Sequence, residues 1–70
     1  MPPRKKIIPH AKLRGMRTER GMSQADVAKI IGISTGSYVA RETGRLPFLI
    51  PEAIVLRKFF KTTLDELFDN

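Results

Sequence analysis

The 70-residue sequence has no cysteine and no tryptophan, and only one histidine and one tyrosine. Without cysteine the chain has neither a disulfide framework nor a thiolate metal site, so a reducing cytoplasm is its expected location. With His10 alone, no glycine-rich loop after a strand and no cluster pairing histidine with carboxylates, the parts for nucleophilic or metal-assisted chemistry are missing. No enzyme activity, cofactor, metal or small-molecule substrate is therefore expected. Long apolar runs are also lacking. The richest, Leu46 to Ile50, is interrupted by Pro47 and stopped at Pro51, and the basic start MPPRKKII lacks the apolar segment of a signal peptide. Neither a membrane span nor export is expected. No useful period-2 alternation appears, which argues against sheet.

Acidic residues are scarce at one end only. Residues 1–20 hold seven lysines or arginines and one glutamate, whereas residues 21–70 hold six basic and six acidic residues. The whole net charge of +6 thus sits at the start of the chain. Such a concentration is an electrostatic footprint for a polyanion, with a merely solvating tail as the plain alternative. At 70 residues there is room for one small core and one domain. Residues 1–7 read as a basic arm and residues 8–70 as the domain.

What is present is a pair of serine-capped helical patterns. Ser23 and Ser34 each precede a helical run, and a serine hydroxyl at such a position takes a backbone N–H that the first turn leaves unpaired. Val27, Ala28 and Ile31 share one face, which Ile33 and Tyr38 continue past a break at Gly32. Two short helices joined by a tight glycine-containing turn form a helix-turn-helix pattern.

Ser23-Gln24, Val27-Ala28, Gly32-Ile33-Ser34, Tyr38, Glu42 and Gly44 together resemble the lambda-repressor-like, Cro-type (XRE) helix-turn-helix family. Thr63 to Phe68 resembles that family's closing helix. The resemblance runs from Leu13 to Phe68 and implies a compact, all-α, five-helix domain. It implies that Arg17 pairs with Glu42, and that Gln24 holds a DNA phosphate at the positive end of its helix, where backbone N–H groups favour an anion. A simple capping glutamine is the alternative. Helix three, opening at Ser34, is implied to enter the major groove with Thr35, Gly36, Ser37, Val39 and Ala40 at reading positions. No arginine, lysine, asparagine or glutamine stands among these, so bidentate base contacts are absent. Hydroxyls, apolar contact, DNA shape and the arm residues Arg4, Lys5 and Lys6 are left to supply specificity. Thr43 and Arg45 are placed for phosphates.

Elsewhere, helix one is expected from Pro9 to Arg20, with Gly21 as its left-handed stop and Ile8, Leu13 and Met16 facing the core. Gly15 weakens it by roughly 1 kcal/mol. His10 reads as a surface residue, and Asp26 and Lys29 as a solvated pair. Arg41 and Arg57 replace an aliphatic and a small residue of the family, so each either lays its stem on apolar surface or marks a face remade to receive a partner. Leu46, Phe48 and Leu49 are candidates, with Arg41, for a dimer or partner contact, or else they fill the domain's own core. Helix four is expected from Pro51 with Ala53, Leu56, Phe59 and Phe60 inward. Lys61 replaces the usual glycine or asparagine at its end. Thr62 or Thr63 caps the last helix, where Leu64, Leu67 and Phe68 close the core and Asp65 and Glu66 sit at the positive end.

The expected function is that of a sequence-selective duplex DNA-binding regulator, a repressor or Cro-like switch of phage or mobile-element origin, acting by operator occupancy as a weak homodimer. The alternative is a modulator or antirepressor of the same fold that binds a partner repressor protein. An antitoxin is a third reading.

Overall fold

The computed structural model describes residues 9–68. Arg4, Lys5 and Lys6, and the expected core contact of Ile8, lie outside the described residues. The chain forms five helices, α1 (Ala11–Glu19), α2 (Gln24–Ile31), α3 (Thr35–Glu42), α4 (Ile50–Phe60) and α5 (Leu64–Phe68), with no strand among the described residues. The fold is all-α.

Local chemistry explains where the helices start. Ser23 accepts the Asp26 N–H at 3.0 Å while Asp26 accepts the Ser23 N–H at 2.8 Å, a reciprocal capping box. Asp26 thus completes the cap at Ser23 while staying exposed, and the charge of Lys29, also exposed, acts on it as a smaller effect. The Ser23 backbone N–H, ahead of its hydroxyl, holds the Asp26 carboxyl below the ordinary carboxylate range. Ser34 caps α3 through the Ser37 N–H at 3.1 Å. Thr63, not Thr62, caps α5 by accepting the Glu66 N–H at 3.1 Å. Thr62 instead donates to the Glu66 carboxylate at 2.6 Å.

Four helices end alike. After α1, α2, α3 and α4 the chain turns left-handed at Gly21, Gly32, Gly44 and Lys61, with φ of 67°, 76°, 88° and 53°. At each, the N–H of the left-handed residue and that of the residue after it return to carbonyls of the last turn, as in the Thr62 N–H to Arg57 carbonyl bond of 3.0 Å. Only the fourth position carries a Cβ, which crowds the following carbonyl by about 1–2 kcal/mol in this conformation. Lys61→Gly is expected to stabilise the domain by roughly 0.5–1 kcal/mol after the entropy of glycine is deducted. Thermal unfolding measures this, and a lower Tm in the variant would show that the Lys61 side chain contributes more than its strain costs.

All five helices feed one core of Leu13, Val27, Ala28, Tyr38, Leu56, Phe60 and Leu67, with Met16, Ile33, Phe48, Phe59 and Phe68 packed around it. Each fully buried large side chain contributes about 1.5–3 kcal/mol. Helix α2 packs on α3 and α4, and α1 on α3 and α5, so α3 is held from two sides. Three expectations are corrected. Helix α1 begins two residues after Pro9, with His10 at its cap position, because the His10 N–H is drawn to the Glu42 carbonyl at 3.0 Å. The His10 ring is not on the surface but half-buried between Phe48 and Phe68, at centroid distances of 5.4 and 5.3 Å. Burial lowers its pKa below 6.5, opposed by the charge of Glu42. Leu64 stays exposed at the first turn of α5, and Leu67 alone of that helix is fully buried.

Candidate nucleic-acid interface

Helix α3 is oriented by three side chains that point into the protein. Tyr38 is wholly buried and Glu42 nearly so. Arg17 of α1 donates to the same Glu42 oxygen through Nη2 at 3.0 Å and Nε at 3.3 Å, and through Nη1 to the Met22 carbonyl at 2.8 Å. This ties the end of α3 to α1 and to the entry of α2. Buried, and with three of its N–H groups engaged inside the protein, Arg17 serves the fold. The Tyr38 phenol is buried without a hydrogen-bond partner, and burial first, then the charge of Glu42, raises its pKa.

Arg41 is the third. Its Nε donates to Glu52 of α4 at 3.0 Å and its Nη1 to the Ser37 carbonyl at 3.1 Å. Neither open alternative for this arginine describes it: the charge is not lifted to water, nor is it offered to a partner. Glu52 completes the arrangement by accepting the Leu49 N–H at 2.9 Å with the same oxygen, which closes the first turn of α4. Sequence reading missed Glu52, although an acid in the first turn after a proline was the available signal. It also missed Arg20, whose guanidinium lies 5.0 Å from the Phe60 ring centroid and 5.5 Å from that of Phe59. Arg20 further donates to the Phe59 and Phe60 carbonyls at 3.4 and 3.3 Å, at the negative end of α4. Of the early positive charge, Arg17 is neutralised by Glu42, whereas Arg20 keeps its charge at an exposed position. Lys12 and Arg14 are exposed.

With these groups turned inward, the outer face of α3 carries only short side chains. Thr35 and Gly36 are exposed, and Ser37, Val39 and Ala40 half-buried. Ser34 donates its hydroxyl to Ser37 Oγ at 2.9 Å while accepting the Ser37 N–H. Thr43 spends its proton on the Val39 carbonyl at 2.7 Å, with the Ala40 carbonyl at 3.3 Å, leaving only lone pairs outward. Arg45 is exposed just beyond Gly44, where its N–H and that of Leu46 return to the Ala40 carbonyl at 2.9 and 3.1 Å. This holds the arginine at the C-terminal edge of α3. At the other edge, Gln24 lies on the first turn of α2, half-buried, with its amide 3.4 Å from Glu42 Oε2.

The apolar loop divides between the two roles left open for it. Phe48 turns inward, half-buried against Tyr38, His10 and Phe68 at 5.3–6.1 Å between centroids. Leu46 and Leu49 face outward, 48% and 55% exposed, and Ile50, which was not singled out, is 75% exposed. Arg57 is half-buried on α4. Among the described residues no helix is long and apolar enough to cross a membrane.

Comparison with curated proteins and with solved structures found no match. A helix-turn-helix family model (HTH_3) matches residues 13–67, from the first buried residue of α1 to the last buried residue of α5. The chain belongs to this helix-turn-helix family and carries the general DNA-binding, regulatory character of its domain.

Proposed function

We propose that the chain is a sequence-selective regulator of the Cro-like, lambda-repressor-like type that acts by occupying operator DNA, with α3 in the major groove. One observation carries this reading. Every long or charged side chain of α3 is turned into the protein, leaving a low, uncharged outer face flanked by Arg45 at one end and by the first turn of α2, with Gln24, at the other. Short residues at the centre suit a groove floor, and a cation and unpaired helix-start amides at the margins suit phosphates. A repressor or switch protein of a phage or mobile element fits a helix-turn-helix domain of this kind.

Arg45→Ala is expected to weaken binding to every duplex by a similar factor and to reduce the slope of log affinity against log salt by about 1. The measurement is a titration of duplex DNA flanking the gene against a scrambled duplex at several salt concentrations. A parent protein that does not distinguish the two at physiological salt would overturn sequence-selective occupancy. An Arg45→Ala protein with the parental salt slope would remove that residue from the phosphate contacts.

The outward Leu46, Leu49 and Ile50, with Leu64 also exposed, support a second element of the reading, a contact surface for another copy of the chain or for a partner repressor. Loss of DNA discrimination together with tight binding to a partner repressor would favour the modulator reading.

A further inference from the structure

We infer that Gly36 is a specificity-determining residue that sets how closely α3 approaches the duplex, and so which base edges its short side chains reach. This rests on the DNA-occupancy reading proposed for the interface. Gly36 lies in the first turn of α3, exposed, with no left-handed φ. A Cβ placed on it meets no atom within 4 Å. No turn, strain or internal packing asks for glycine here, and glycine lowers helix stability at such a position. Gly15 is equally unexplained on α1, so what sets Gly36 apart is its place on the outer face of α3. At about 100° per residue, Gly36 and Ala40 lie on the side of α3 opposite the buried Tyr38, the line that meets a partner first.

Two further observations agree. Arg41, about 140° round the helix from Gly36, is held to Glu52 and the Ser37 carbonyl, so it does not stand out to keep a surface at a distance. The Ser37 hydroxyl, receiving the Ser34 proton at 2.9 Å, retains its own proton as a donor. In the major groove that hydroxyl, with its proton and one remaining lone pair, can meet an acceptor such as N7 or O6 of guanine or an amino group of adenine or cytosine. A side chain as short as serine reaches a base edge only when the helix backbone comes close, which a side chain at position 36 prevents.

Gly15 supplies the control. It too lies within a helix with no atom within 4 Å of an added Cβ, but on α1, outside the proposed interface. The test compares Gly36→Ala, Gly15→Ala and Ser37→Ala with the parent, measuring Tm and affinity for a duplex that the parent selects from a randomised pool. Both glycine variants are expected to melt higher, by about 4 °C or more. Gly36→Ala is expected to bind the selected duplex about tenfold more weakly, and Gly15→Ala as the parent does. Ser37→Ala is expected to lose discrimination at one base position that the parent selects. A Gly36→Ala protein that melts higher and binds as tightly as the parent overturns the inference while leaving the DNA reading intact. A parent that selects no sequence removes both.

Discussion

Replacing Arg17 with alanine is expected to destabilise the domain by roughly 3–5 kcal/mol. The side chains of Arg17 and Glu42 are only 10% and 3% exposed, so the pair is held where water cannot replace a lost partner. Removing the arginine leaves the Glu42 carboxylate with the Gln24 amide at a long 3.4 Å as its remaining side-chain donor, and leaves the Met22 carbonyl without the Arg17 Nη1 bond. The cost comes mainly from the charge left behind, not from the worth of the pair itself. For a chain this small, total stability lies toward the lower end of about 5–15 kcal/mol, so the variant should be close to unfolded at room temperature. Arg17→Met combined with Glu42→Leu removes both charges and is expected to cost less than the two single changes added together. Urea unfolding of the four proteins measures this. Single variants within about 0.5 kcal/mol of the parent would mean that water reaches the pair after all.

The second large effect is expected at Glu52. One oxygen of this residue receives both the Arg41 guanidinium at 3.0 Å and the Leu49 N–H at 2.9 Å. It therefore joins the last turn of α3 to the first turn of α4 across the loop that carries Arg45. Glu52→Ala loses a charge-assisted bond and a helix-start bond together, and is expected to destabilise by about 2–3 kcal/mol. Glu52→Gln keeps an acceptor for the Leu49 N–H while losing the charge beside Arg41, so about 1 kcal/mol is expected there. The ordering Ala worse than Gln, read from urea midpoints at constant m, separates the two contributions. Equal losses for the two variants would assign the whole effect to the ion pair and none to the start of α4.

Much of the architecture is local and was therefore legible in one dimension. The caps at Ser23 and Ser34 and the turns at Gly21, Gly32 and Gly44 depend on a serine hydroxyl or a missing Cβ acting within a few residues. The inward positions Leu13, Val27, Ala28, Leu56 and Leu67 follow from helical spacing, since a face three or four residues apart has to be covered. Lys61 was recognised as standing where a glycine belongs, and its φ of 53° gives that departure its physical content. The joining of Arg17 to Glu42 spans 25 residues and was legible only through the family resemblance, because no local rule links such distant positions.

The misreadings were all of side chains whose surroundings come from elsewhere in the chain. His10 was placed on the surface because a lone histidine beside a proline has no local reason to be covered. Phe48 and Phe68, 38 and 58 residues away, cover it. Arg41 was read as lifted to water or offered to a partner because Glu52, eleven positions on, becomes its neighbour only when α4 folds back beside α3. By itself, then, the sequence determined where helices start and stop and which faces are apolar, while the five-helix arrangement was implied by the family resemblance. The first two come from hydrogen bonds and periodicities within a turn or two. Only the tertiary structure decided which charges are spent on the fold and which remain outside, because pairing between distant residues depends on how the helices pack.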